Sequence, residues 1–292
     1  MPYDGIIIRP PSEADSLILQ ITIGCSHNRC SFCPAYKNTV FRIKTTNEIF
    51  RDIDAAAAAT GGSVRRIFLC DGDPLVIPSA TLSTILQKLN ARFPRLQRVG
   101  MYANAGNIVH KSAAELRALR EQKLGIVYMG LESGDQATLD RMQKGVTVDQ
   151  MITAALMVRE AGIKLSVTVI LGLGGTERSQ LHAIETMRVL NQMKPHHVGA
   201  LTLMVVKGTP LYREWRDGSF NVPEPFGIIE ELRLMIQESQ LENCLFFSNH
   251  ASNYLPLSVR LSRQKDEALR LLETVLKTKD ADLLTQEYLR GL

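Results

Sequence analysis

Residues 24–36 read GCSHNRCSFCPAY, and three of the chain's five cysteines, Cys25, Cys30 and Cys33, fall inside that stretch. It follows an apolar run, residues 17–23, that has the length and composition of a buried strand. Gly24 stands where that strand must bend into a loop. In parallel α/β folds the loops at the C-terminal ends of strands carry the chemistry, so a Cys-x4-Cys-x2-Cys loop here reads as a metal-ligand loop on an α/β sheet. Three readings compete. Buried thiols without a ligand role are opposed by the polar Ser26, His27, Asn28 and Arg29 between them. Structural zinc would take His27 or a distant residue as fourth ligand. A [4Fe–4S] cluster on three thiolates would leave one iron open, since Cys70 and Cys244 stand alone in apolar runs.

Outward from this loop, short apolar runs alternate with helical spacing. Strands are expected over residues 17–23, 66–70, 98–102, 126–131, 164–171 and 198–204. Thr45 with Glu48, Ser112 with Glu115 and Thr147 with Gln150 fit capping boxes, and Gly61, Gly125 and Gly162 fit helix ends. Six β-α units imply a parallel sheet with helices outside, short of the eight that close a TIM barrel. The expected fold is therefore α/β, a partial (β/α)6 TIM-like barrel over residues 17–210. An N-terminal segment (1–16) precedes it, and a C-terminal helical appendage (211–292) covers the barrel and adds to the substrate site. A doubly wound open sheet satisfies the periodicity equally. The appendage should hold a helix near residues 228–241 and an amphipathic helix over residues 258–277.

Composition is that of an ordinary globular protein, with 45% hydrophobic and 22% charged residues. A net charge of +4 neither announces a nucleic-acid partner nor excludes one. The apolar runs are too short to cross a membrane, and no signal peptide is visible. The odd, crowded cysteines oppose a disulfide scaffold and place the chain in a reducing compartment, the cytoplasm.

The segment CSHNRCSFCPAY resembles the cluster loop of the radical S-adenosylmethionine (radical SAM) superfamily, with four residues between the first two cysteines where the usual loop has three. The subfamily is open, with some resemblance to the coproporphyrinogen-oxidase-like and Elongator-like group. The resemblance implies that Cys25, Cys30 and Cys33 hold a [4Fe–4S] cluster and that the open iron chelates S-adenosylmethionine (SAM). It places Phe32 against the adenine. Asp71-Gly72-Asp73 stands where the family binds the methionyl amino group. Asn104 and Asn107 fall where ribose or carboxylate contacts occur. Glu132, with Ser133 as a weaker neighbour, matches the strand-four acid. Ile170, the Gly172 turn and Met204 fall on the last adenine-contacting strands.

Without the family, Asp71-x-Asp73 suggests a divalent metal or a capped turn, and Gly172-x-Gly174-Gly175 suggests a phosphate loop that fails the G-x-G-x-x-G pattern. The implied reaction is reductive cleavage of SAM to a 5′-deoxyadenosyl radical that takes hydrogen from a small-molecule substrate. The enzyme would be a lyase, mutase or oxidoreductase, or a salvage enzyme acting on a nucleobase-type molecule. Flavodoxin or ferredoxin would supply the electron, with Lys37, Arg42 and Lys44 as a landing surface. His250, in the polar loop SNHASNY, is the candidate catalytic residue. His110, His182, His196 and His197 read as structural or exposed. The alternative function is a non-catalytic iron–sulfur or zinc protein, such as a cluster or haem carrier.

Overall fold

The computed structural model describes residues 3–291. The chain first forms β1 (Leu17–Gln20), the short β2 (Thr22–Ile23) paired antiparallel with β3 (Arg42–Ile43), and α1 (Thr46–Thr60). Next come β4 (Arg66–Cys70), α2 (Ser79–Arg92), β5 (Arg98–Tyr102), the single turn α3 (Ala105–Ile108), α4 (Ala113–Glu121) and β6 (Leu124–Glu132). There follow α5 (Gln136–Arg141), α6 (Val148–Glu160), β7 (Lys164–Leu171), α7 (Gly175–Met193) and β8 (His197–Thr202). The remainder holds α8 (Pro210–Asp217), α9 (Pro225–Glu238), β9 (Leu245–Phe247), β10 (Ser258–Arg260) and α10 (Lys265–Thr278).

The main sheet has eight strands in the order β1-β4-β5-β6-β7-β8-β9-β10, with β10 antiparallel on β9. It is an α/β fold like the partial barrel expected, and among the described residues it does not close. Three details differ from expectation. The appendage is not purely helical, because β9 pairs parallel with β8 and extends the sheet. Ser258–Arg260 pairs with β9 as β10, so the amphipathic helix starts only at Lys265. Gly125 lies inside β6 rather than at a helix end; α4 stops at Glu121, and Lys123 turns the chain with φ 74°.

Helix starts follow local chemistry. Thr45 and Ser112 make full capping boxes, and Thr147 exchanges bonds of 2.9 and 3.2 Å with Gln150. Each such cap is worth about 1 kcal/mol.

Two compact units make up the chain. One gathers the chain up to Asn28, Ala35–Met129 and Thr153–Leu165. One core cluster joins Ile18, Phe68, Cys70, Ile126 and Tyr128, with Phe68, Tyr102 and Tyr128 in edge-to-face contact. Glu13 is buried beneath these rings. It is matched by Arg98 at 2.6 Å, Tyr128 Oη at 2.6 Å and Ser16 Oγ at 2.5 Å, so the buried carboxylate is not left bare. The other unit gathers Arg29–Pro34, Gly130–Ile152 and the chain from Ser166 on. There β7 alternates: Leu165, Val167, Val169 and Leu171 are buried, while Ser166, Thr168 and Ile170 face the half-open side.

Candidate functional site

Several strands end in a left-handed turn: Gly24 after β2 (φ 80°), Asp71 after β4 (φ 70°), Glu132 ending β6 (φ 64°) and Gly172 after β7 (φ 81°). A non-glycine residue in this region costs about 1–3 kcal/mol and persists only where its surroundings hold it, so the two acids mark strained, over-determined corners.

In the first unit, Asp71 Oδ2 accepts from the Gly24 N–H at 3.1 Å and from Gln20 Nε2 at 2.7 Å. Burial pushes its carboxyl up, against the opposing pull of these donors and Tyr36. Its Oδ1 is buried without a hydrogen-bond partner, an acceptor held ready at the strand end. Gly72 donates its N–H to the Gly24 carbonyl at 3.0 Å, and a Cβ there would lie 2.6 Å from the Cβ of Cys25. Only glycine admits this approach. Asp73 is fully buried and bonded to Ser26, Asn104 and Asn107. Asn104 caps α3 through the Gly106 N–H.

In the second unit, Phe32 and Ile170 pack on the same apolar cluster, formed by Met142, Leu173, Leu203, Leu211 and Phe220. Ser31 N–H donates to the Met142 carbonyl at 2.9 Å, and Leu211 N–H donates to the Ser31 carbonyl at 3.1 Å, which seats Phe32 there. Glu132 pairs with Lys144 at 2.9 Å, and a Cβ at Gly130 would sit 2.1 Å from its Oε1, so glycine makes room for that carboxylate. Met204 is half-buried just beyond β8.

The family profile described as Radical SAM superfamily matches residues 19–187, more than half of the chain. The chain belongs to the radical SAM superfamily. An uncharacterized protein of Methanocaldococcus jannaschii is 30% identical over 137 residues, 47% of this chain and 38% of that protein. Among solved structures, coproporphyrinogen III oxidase from Escherichia coli superposes with TM-score 0.59 at 15% identity, covering 76% of this chain and 51% of that one. The radical SAM methyltransferase of Kitasatospora setae with tryptophan substrate and aza-SAM gives 0.58 at 18%, covering 70% and 39%. Methylornithine synthase gives 0.53 at 19%, covering 78% and 64%. At these identities the likeness is one of fold. The chain spans less than two thirds of each of these proteins.

Radical SAM proteins are enzymes that bind a [4Fe–4S] cluster and SAM. The residues present fit such a cofactor pair. The loop offers three half-buried soft thiols, Gly72 leaves space beside Cys25, and Asp71 Oδ1 is an unclaimed acceptor. The hard-cation reading of Asp71 and Asp73 does not fit. Their carboxylates take different partners, Gln20 and the Gly24 N–H for Asp71 and Ser26, Asn104 and Asn107 for Asp73.

The Ser133 side chain is fully buried, with Oγ donating to His182 Nδ1 at 2.8 Å and accepting from the Asp135 N–H at 3.0 Å. His182, expected to be structural or exposed, is buried on α7. Its Nε2–H donates to the Ile170 carbonyl at 3.1 Å, tying the ends of β6 and β7 together.

Sequence reasoning missed Glu231, buried on α9. It accepts from the Gly172 N–H at 2.6 Å and from Ser179 Oγ at 2.6 Å. Burial pushes its carboxyl up to about 7 and pushes the His182 imidazole down to about 4. Near neutral pH the imidazole carries no charge, so the 3.9 Å approach of the two side chains is not an ion pair.

The polar loop after β9 emerges beside the end of β8, because the two strands are parallel. Ser252 Oγ accepts from the Thr202 N–H at 3.1 Å, Asn253 Oδ1 accepts from Thr202 Oγ1 at 2.8 Å, and Arg290 donates to the Ser252 carbonyl at 2.7 Å. His250 Nδ1 accepts from the Ser252 N–H at 3.1 Å, which leaves the ring proton of the neutral form on Nε2. Burial lowers the His250 pKa and favours that neutral form. The expected basic landing surface is reduced: Lys44 is buried against Asp52 at 2.5 Å, and Arg42 is shared by Asp4 and Glu48.

Proposed function

We propose that Cys25, Cys30 and Cys33 hold one [4Fe–4S] cluster, that the open iron takes SAM, and that the enzyme acts on a small molecule. When bound, the cluster supplies one electron to the sulfonium of SAM, giving the 5′-deoxyadenosyl radical that removes a substrate hydrogen. The chain's own residues bind, orient and exclude water.

The observation that carries this reading is the shared apolar surface of Phe32 and Ile170, which joins the cysteine loop to the end of β7 in a radical SAM chain. That surface suits an adenine face, with Met204 and the Gly172 turn at its border. By resemblance to the family, Asp71 Oδ1 and the Gly72 backbone would take the methionyl amino group, with Asn104 and Asn107 bonded to the neighbouring Asp73. Glu132 is the ribose candidate, its charge balanced by Lys144. His250 serves substrate as a neutral Nε2–H donor, and flavodoxin or ferredoxin delivers the electron. The family match does not favour the zinc or haem-carrier alternative.

Anaerobic purification with iron and sulfide analysis, followed by dithionite-driven turnover of SAM with candidate metabolites in deuterated water, tests the reading. Four irons per chain and 5′-deoxyadenosine, both lost in Cys30→Ala, are expected. Zinc in place of iron, or a full cluster without SAM cleavage, would refute it.

A further inference from the structure

Asp73 stands in the strand-end segment that the family uses for SAM, yet its surroundings give it different work. The side chain is fully buried and bonded to three residues of the first unit. Oδ2 accepts from Ser26 Oγ at 2.7 Å and from Asn107 Nδ2, while Oδ1 accepts from the Asn104 N–H at 3.1 Å. Asn107 Nδ2 also reaches Ser26 Oγ at 3.4 Å. One carboxylate thus joins the loop after β2, the turn after β4 and the start of α3. On the other side of Cys25, Gly24 is tied twice, through its N–H to Asp71 and through its carbonyl to the Gly72 N–H. Cys25 is the one residue between these two anchorages.

The same geometry bears on the four-residue interval between Cys25 and Cys30. Ser26, its first residue, is pinned by Asp73. Asn28 is left-handed, with φ 43°, and its side-chain amide donates to the Tyr36 carbonyl at 2.6 Å. Asparagine tolerates this conformation better than other residues with a side chain. The chain therefore turns at Asn28, beyond the pinned segment.

We propose that Asp73 is a positioning residue of the cysteine loop, fixing Cys25 through Ser26 and Asn107. This rests on the reading of Cys25 as a cluster ligand, but the fixing of the loop belongs to the chain alone and can be measured without a cluster.

The experiment is anaerobic iodoacetamide labelling of the metal-free full chain, following Cys25 and Cys30 in the same sample by peptide mass spectrometry. Asp73→Ala should raise the Cys25 labelling rate relative to Cys30 by about tenfold, the population change at the low end of what one net charge-assisted hydrogen bond carries. Ser26→Ala should move the ratio the same way. The exchange Asp73→Asn with Asn107→Asp, which swaps donor and acceptor between the two side chains, should bring it back toward wild type, a rescue that a general loss of stability would not show. The buried Cys70 and Cys244 report on the fold. If they label in Asp73→Ala, the decision passes to Ser26→Ala, which removes only a hydroxyl. An unchanged ratio in the folded variants overturns the proposal. Reconstitution of wild type separates the two readings: a chain that takes up no iron, yet shows the labelling shift, refutes the cluster and leaves the role of Asp73 standing.

Discussion

Replacing Glu231 by glutamine should stabilise this protein at alkaline pH and do little at acidic pH. The carboxyl is buried on α9 and its pKa is raised from 4.5 to about 7, chiefly by desolvation. In the unfolded chain it ionises near its ordinary value; in the folded chain it keeps its proton until about pH 7. Between those values the folded state binds more protons, so stability falls as pH rises through the window. Moving the carboxyl from 4.5 to about 7, at about 1.4 kcal/mol per pH unit, makes the full loss about 3.4 kcal/mol, reached about one pH unit above the folded-state value. Glutamine can keep the acceptor for the Gly172 N–H and place its amide against Ser179 Oγ, while removing the titration.

His182 works in the opposite sense. Its pKa is lowered from 6.5 to about 4, so its contribution is present above 6.5 and is lost as pH falls toward 4. It is present in both proteins and cancels in their difference. Urea unfolding of wild type and Glu231→Gln at pH 5, 6.5 and 8 therefore isolates the carboxyl. The variant's advantage should grow by about 3 kcal/mol from pH 5 to pH 8. A difference that stays constant with pH would refute the assignment of a protonated Glu231 to the folded state.

Gly72→Ala should lower iron uptake on reconstitution, because its Cβ would sit 2.6 Å from the Cβ of Cys25 and 2.8 Å from its Cα. Overpacking of this kind costs about 1–3 kcal/mol, and iron per chain measures it. Phe32→Ala should raise the KM for SAM more than it lowers kcat, since the ring packs on the surface proposed for adenine. Lys37→Glu with Arg42→Glu should slow flavodoxin-driven turnover and leave dithionite-driven turnover unchanged; equal losses would remove these residues as a docking surface.

The strands at Arg66–Cys70, Arg98–Tyr102 and Lys164–Leu171 are legible to the residue, because each is an apolar run bounded by turn formers or charge. The cysteine loop is legible for another reason: its spacing is chemistry written in consecutive residues. What escapes sequence reading depends on partners distant in the chain. β9 and β10 are three residues each, too short for a period of two to register, and they exist because β8 offers an edge. Lys44 looks like an exposed cation until Asp52 is found beside it. Glu231 did leave a signal. Ile228, Glu231, Leu232 and Met235 share a helical stripe, and an acid in an apolar stripe needs a partner.

That stripe changes how the C-terminal third should be understood. Glu231 holds the Gly172 N–H at the end of β7, and a Cβ on Gly172 would strike Ile228 at 2.8 Å, so α9 is fitted against the turn itself. At the end of β8, Ser252 and Asn253 hold Thr202, and Arg290, stacked 3.9 Å over Tyr254, locks that loop in turn. Both strand ends belong to the surface proposed for the cofactor, and each takes a partner from outside the matched 19–187 segment. Strand ends with buried turns need fixed donors and acceptors, since mobile water would not hold one geometry. On the proposed reading, the segment after residue 210 would therefore form part of the wall of the site. Removing α9 alone would leave Gly172 with a buried N–H and no acceptor, a cost of about 1–3 kcal/mol placed directly beside the proposed adenine surface.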